Sequence, residues 1–198
     1  LHMEEMYEVL RFIEHGAHCR QSMDCVRGTL LAEFLNRNQQ AEKAMLFRWF
    51  RELCICLDQY HKSRKGRGDY RYLNPYSIVV TEDNEFRLLD LEAPENAFVM
   101  KQMQRRPVRD HFVKPVCENG MEKEYRADLF AYGRMVQFLL AYVAAEPDLT
   151  RLEEFRLARI VGRCTGEKKR EYGSLGEVMR DLPAVPKHTE TKRKKKLP

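Results

Sequence analysis

Between Tyr70 and Glu92 the chain gathers polar groups on a loop and on the segment that follows a hairpin-like stretch. The loop reads Tyr70-Arg71-Tyr72-Leu73-Asn74-Pro75-Tyr76-Ser77, and the acid beyond the hairpin is Asp90 in Arg87-Leu88-Leu89-Asp90-Leu91-Glu92. Asp90 suits contact with a magnesium ion, because hard cations prefer carboxylate oxygens. The competing reading is an acid at a strand end that hydrogen-bonds nearby backbone. Ser77 is a poorer metal ligand than an amide oxygen. Tyr72 does not suit general-base work near neutral pH, since a phenol titrates near ~10. Asn74, Tyr76 and Ser77 form either a small polar pocket or an ordinary packed loop. His15 and His18 share a predicted turn, where exposed turn residues are the better reading than a metal pair. No Gly-x-Ser-x-Gly and no Gly-x-Gly-x-x-Gly occurs in the chain.

Composition narrows the classes. The formal charge is +5, and Lys192-Arg193-Lys194-Lys195-Lys196 alone supplies as much, so the remaining body is close to neutral. A nucleic-acid groove is therefore not indicated by the net charge. The run itself has three readings: a solvated tail, a site for an anionic membrane surface, or a nucleic-acid contact. The six cysteines, Cys19, Cys25, Cys54, Cys56, Cys117 and Cys164, show no Cys-x-x-Cys spacing. They read as reduced thiols, mostly packed as small apolar residues, which favours the cytoplasm. No apolar run approaches the length of a membrane span, and the first residues lack a signal-peptide pattern. Residues 1–3, Leu1-His2-Met3, read as a cloning remnant.

Several elements must position the loop. Glu8 to Ile13 and Cys19 to Met23 are extended runs punctuated by Gly16 and predict a hairpin. Gly28 closes that unit, and Thr29 to Leu35 reads as a helix. Ala41 to Lys62 is the clearest helix, with Met45, Leu46, Trp49, Phe50, Leu53, Leu57 and Tyr60 at three- and four-residue steps, a stripe that belongs to a core. Ile78 to Thr81 and Phe86 to Leu89 predict a second hairpin around Glu82-Asp83-Asn84-Glu85. Ala93 to Glu118 shows no clear periodicity. Tyr125 to Val143 is a second apolar helix. Thr150-Arg151-Leu152-Glu153 and Ser174-Leu175-Gly176-Glu177 are capping-box patterns that open two more helices. From Pro183 onward the composition predicts a disordered tail.

The loop and the segment around Asp90 resemble the catalytic and metal-binding loops of protein kinases, which read His-Arg-Asp-Leu-Lys-Pro-x-Asn, then a hairpin, then Asp-Phe-Gly. Arg71, Leu73, Pro75, Ile78 and Asp90 keep the frame, with 18 residues from Tyr72 to Asp90. Tyr72 stands at the catalytic aspartate position, Asn74 at the lysine and Ser77 at the metal-binding asparagine. Tyr60-His61 resembles the Tyr-Leu-His that closes the long helix before that loop, and Asp128 matches the acid opening the central helix. The resemblance is to bacterial-type Ser/Thr kinases and runs from about Tyr7 to Leu182.

This resemblance implies an α+β, mostly α fold: a kinase-like C-lobe with a truncated N-lobe hairpin. It divides the chain into residues 4–28 (hairpin remnant and hinge), 29–182 (lobe) and 183–198 (basic tail). The hinge, where kinases contact nucleotide, falls on Met23, Asp24, Cys25 and Val26. Asp128 is implied to accept backbone N–H bonds near Tyr70 and Arg71, and Arg71 to bind a phosphorylated segment or serve at the surface. Arg170 takes the place of an arginine whose Pro-Glu partner is missing, with Val116 at the glutamate position. The 42 residues from Asp128 to Arg170 imply that one intervening helix is reduced or absent.

The expected function is that of a pseudokinase: a binding or scaffolding module without phosphotransfer and without a cofactor. Its partner, another chain, a second copy or a further segment of the same protein, meets the truncated N-lobe side at Tyr7 to Val26, and the Lys192–Lys196 run is either a solvated tail or a contact for an anionic membrane surface. The alternative is a divergent Ser/Thr kinase or ATP-binding protein that keeps ATP and magnesium at Asp90. A helical adaptor unrelated to kinases would lack the hairpin at 78–89 and would hold Asp128 away from residues 70–72.

Overall fold

The structure, a computed structural model, describes residues 5–65, 68–116 and 123–187. The expected cloning remnant, Cys117 and the Lys192–Lys196 run lie outside these residues. The fold is α+β, about 48% helical and 22% strand, so helices supply most of the framework.

Strands β1 (Glu5–His15) and β2 (His18–Leu30) form an antiparallel hairpin, in register from Glu5 opposite Gly28 to His15 opposite His18. Its two-residue connection places Gly16 at φ 59, a conformation open to glycine without steric cost. The strands are longer than the expected runs, and β2 continues through Leu30 before α1 (Leu31–Arg37) begins. Thr29 is therefore not helical. The reason is tertiary: Gly28, Thr29 and Leu30 pair with Thr81, Val80 and Val79 of β4 (Ile78–Thr81), which satisfies their backbone in the sheet. The same pairing leaves no room for a side chain at Gly28, where a Cβ would lie 2.4 Å from the carbonyl oxygen of Val80. Met23, Asp24, Cys25 and Val26, expected as a hinge, lie inside β2 opposite Leu10, Val9, Glu8 and Tyr7.

β4 turns through Asn84 into β5 (Phe86–Leu88), completing an antiparallel sheet of order β1-β2-β4-β5. The sheet curls until its two ends meet, with Val9 of β1 bridged to Leu89 just beyond β5. A short β3 (Gln40–Glu42) leads into α2 (Lys43–Ser63) and pairs in parallel with β6 (Ala144–Glu146).

The stripe along α2 forms the centre of the core, with Leu46, Trp49, Phe50, Leu53 and Leu57 buried and Met45 and Tyr60 half-buried. Trp49 joins this helix to the second hairpin: its ring stacks on Phe86 at 4.6 Å, and its Nε1–H donates to the carbonyl of Asn84 at 2.7 Å. Residues 93–116, without visible periodicity, fold as a 3₁₀ turn (Pro94–Asn96), α3 (Phe98–Gln104) and α4 (Arg106–Phe112). Each is too short to display a helical stripe, and Pro107 in the first turn of α4 marks where that helix starts. α5 (Arg126–Tyr142) packs on α2 and is tied to it by the Tyr132 hydroxyl, which donates to the Phe50 carbonyl at 2.7 Å.

The Thr150–Glu153 capping box opens α6 (Arg151–Thr165). Ser174 caps α7 (Leu175–Asp181), but Glu177 turns to the N–H of Gly173, so that box is only half made. Leu10 of the hairpin belongs to the same core as α2, α5, α6 and α7, so the first strands and the helices share one interior. Cys54 and Cys164 are buried, Cys19 and Cys56 half-buried and Cys25 exposed, all as free thiols. Among the described residues no helix is long and apolar enough to cross a membrane.

Candidate functional site

The loop 69–77 is shaped by one buried carboxylate. Asp128 sits in the first turn of α5 and is fully buried. Its Oδ2 accepts the N–H of Tyr70 at 2.7 Å and lies 2.6 Å from His61 Nε2. Its Oδ1 accepts the N–H of Arg71 at 2.9 Å. His61 comes from the last turn of α2, and its ring stacks on Tyr125 at 4.0 Å. The Asp128 N–H donates in turn to Asp69 Oδ2 at 3.1 Å. Burial, followed by the nearby Asp128 charge, pushes the Asp69 carboxyl up from the ordinary value. Arg71 is held at φ 69, a costly conformation for a residue with a side chain, and its backbone bond to Asp128 offsets that cost.

Beyond Arg71 the loop closes on itself. Asn74 Nδ2 donates to the Tyr72 carbonyl at 3.0 Å, and Asn74 Oδ1 accepts the N–H of Tyr76 at 2.7 Å. The Ser77 hydroxyl accepts the N–H of Asn74 and donates to its carbonyl, each at 3.1 Å. Both Asn74 and Ser77 are fully buried, so these groups pack the loop rather than line an open polar pocket. The half-buried Tyr72 ring packs against the apolar cluster of Val9, Val79, Leu89 and Val99.

Asp90 lies where the curled sheet closes. Its N–H donates to the Glu8 carbonyl at 3.0 Å, and its Oδ1 accepts the N–H of Glu92 at 3.0 Å. Asn96 Nδ2 donates both to the Glu8 carbonyl at 2.9 Å and to the Asp90 carbonyl at 2.8 Å, clamping β1 to this segment. Nothing in the sequence marks Asn96, one amide among several in an aperiodic stretch. Tyr72 and Asp90 face one cleft of about 240 Å³, with Asp69, Arg71, Arg64 and Glu92 around it. Arg64 and Glu92 pair across it at 3.6 Å.

Arg170 is exposed at φ 71, and its carbonyl accepts from Arg163 Nε at 2.8 Å. The buried arginine of this region is Arg126, which pairs with Glu171 at 3.0 Å and donates to the Tyr172 carbonyl. His15 and His18 are exposed at the hairpin tip. Among the described residues the ligand-type side chains close enough to share an ion are His61, Asp69 and Asp128, with donor atoms within 4.8 Å of one another. The Asp128 carboxylate in that group already takes two backbone N–H groups and the imidazole, so an ion there would have to break the bonds that shape the loop.

Against known proteins, the chain matches no family model and no curated sequence.

Proposed function

We propose that this chain is a catalytically silent protein-kinase-like lobe that works as a binding or scaffolding module. The observation that carries the reading is the ladder between β1 and the segment after β5. Val9 is bridged to Leu89, Glu8 takes the N–H of Asp90, and Asn96 holds both strands together. The segment that carries Asp90 is thus fastened to the first strand by backbone and amide bonds. Phosphoryl transfer depends on positioned metal ions and a base beside the acceptor hydroxyl. Here the Ser77 hydroxyl is committed within its loop, Tyr72 is packed among aliphatic side chains, and Asp90 Oδ1 is engaged by Glu92. The cleft of about 240 Å³ is small for a site that usually spans ~300–1,000 Å³. It also carries Asp69, Asp90 and Glu92 against Arg64 and Arg71, an unfavourable balance for phosphate.

The kinase-like part of the reading rests on Asp128, whose carboxylate anchors the backbone at Tyr70 and Arg71, and on the hairpin that follows the loop. An unrelated helical adaptor accounts for neither. The partner side is the β1–β2 hairpin, where Met6 and Met23 are each 54% exposed.

Thermal denaturation with and without ATP and magnesium, alongside incubation with radiolabelled ATP, tests the reading. No shift and no transfer are expected. A stabilisation that disappears in Asp90→Ala, or label moved onto a substrate, would instead favour a divergent Ser/Thr kinase.

A further inference from the structure

We propose that the outward face of α6 is a docking surface for an anionic lipid bilayer. α6 buries Leu157, Ile160, Val161 and Cys164 against the core. On its opposite side Leu152 is 66% exposed and Phe155 62% exposed, beside the exposed Arg151, Arg156 and Arg159. Steps of three and four residues place Leu152, Phe155, Arg156 and Arg159 along one stripe. Among the described residues these three arginines enter no ion pair; of the two acids of the helix, Glu153 is turned inward to Lys43 at 2.9 Å and Glu154 is exposed in the first turn, leaving the face net positive.

An aromatic and an aliphatic side chain standing out between unpaired guanidinium groups match a layer with acyl chains below and phosphates above. The stripe is convex, which suits insertion into such a layer better than it suits receiving a peptide. Arg163 Nη1 pairs with Asp181 at 2.8 Å, tying the end of α7 to the last turn of α6, so this face is held on a rigid support.

Co-sedimentation of the full chain with phosphatidylcholine vesicles, with and without about 30% phosphatidylserine, tests the assignment. Binding is expected to the anionic vesicles only, and to weaken as salt rises from about 0.1 to about 0.5 M. Leu152→Ala with Phe155→Ala is expected to lower the partition coefficient at least about tenfold, and Arg156→Glu with Arg159→Glu by a similar factor, with thermal midpoints unchanged because all four residues are exposed. With the five basic tail residues replaced by Gln, binding is expected to stay sensitive to the α6 changes. The proposal is overturned if anionic vesicles do not bind, or if the α6 variants bind like the parent so that the tail acts alone. It is equally overturned if the Leu152 and Phe155 changes abolish a lipid-free self-association, which would make the occupant a second copy.

Discussion

The backbone N–H of Asp90 donates to the carbonyl of Glu8 at 3.0 Å, joining the first strand to the acid that follows the second hairpin. The link is main chain to main chain, so it does not depend on the Asp90 carboxylate. Asp90→Ala should therefore cost less than about 1 kcal/mol, the worth of one exposed cap to Glu92. Asn96→Ala removes the donor shared by Glu8 and Asp90 and should cost about 1–3 kcal/mol, because Asn96 is buried. Urea denaturation of both variants checks the order. A larger loss in Asp90→Ala would mean that its side chain, not the ladder, holds the closure.

Asp128→Ala should be among the most damaging single changes. It leaves the N–H groups of Tyr70 and Arg71 and the His61 imidazole without their acceptor in a fully buried place. A loss of about 3–5 kcal/mol is expected. Hydrogen exchange at Tyr70 and Arg71 should accelerate more than exchange in β4. A loss below about 1 kcal/mol would show that the loop keeps its shape by other means.

Glu153 carries a pH-dependent contribution. Burial raises its carboxyl, but the Thr150 N–H and the Lys43 ammonium outweigh that and hold it below the ordinary value of 4.5. A depressed folded value means that the unfolded chain binds the proton more tightly. The stability from this group is thus full above pH 4.5 and is lost as pH falls through the lower, folded value. Glu153→Gln should flatten that acid limb. Glu153→Ala should cost about 1–3 kcal/mol at neutral pH, through the lost cap and the stranded Lys43. Adding Lys43→Met to it should cost less than the two single changes together.

Two glycine substitutions should move stability in opposite directions. A Cβ on Gly133 would lie 2.7 Å from Cys164 Cβ, where α5 and α6 touch, so Gly133→Ala should cost about 1–3 kcal/mol. At Gly176, near the start of α7, the nearest atom to a Cβ is 3.6 Å away, and the helix gains from alanine. Gly176→Ala should be neutral or stabilising by up to about 1 kcal/mol. Thermal melts of both variants decide the signs.

Local pattern alone determined the two hairpins, the long helix through Trp49 and Leu57, the second apolar helix and the Thr150 cap, since each depends on side-chain period or on groups a few residues apart. Asp128 stood out only through resemblance, because the start of its helix resembles the acid-bearing start of the central kinase helix. What only the tertiary structure decided was where strands end and what the polar groups touch. Thr29 became strand because β4 lies beside it, and Met23 to Val26 joined a ladder with β1 rather than a free connection. α3 and α4 were invisible because helices of seven residues hold too few turns to show a stripe, and their order comes from packing. Asn96 had no signal at all: its role exists only because the curled sheet brings Glu8, 88 positions away, within 2.9 Å of its amide. Contacts at such separation depend on the closure of the whole sheet, which no local window of residues encodes.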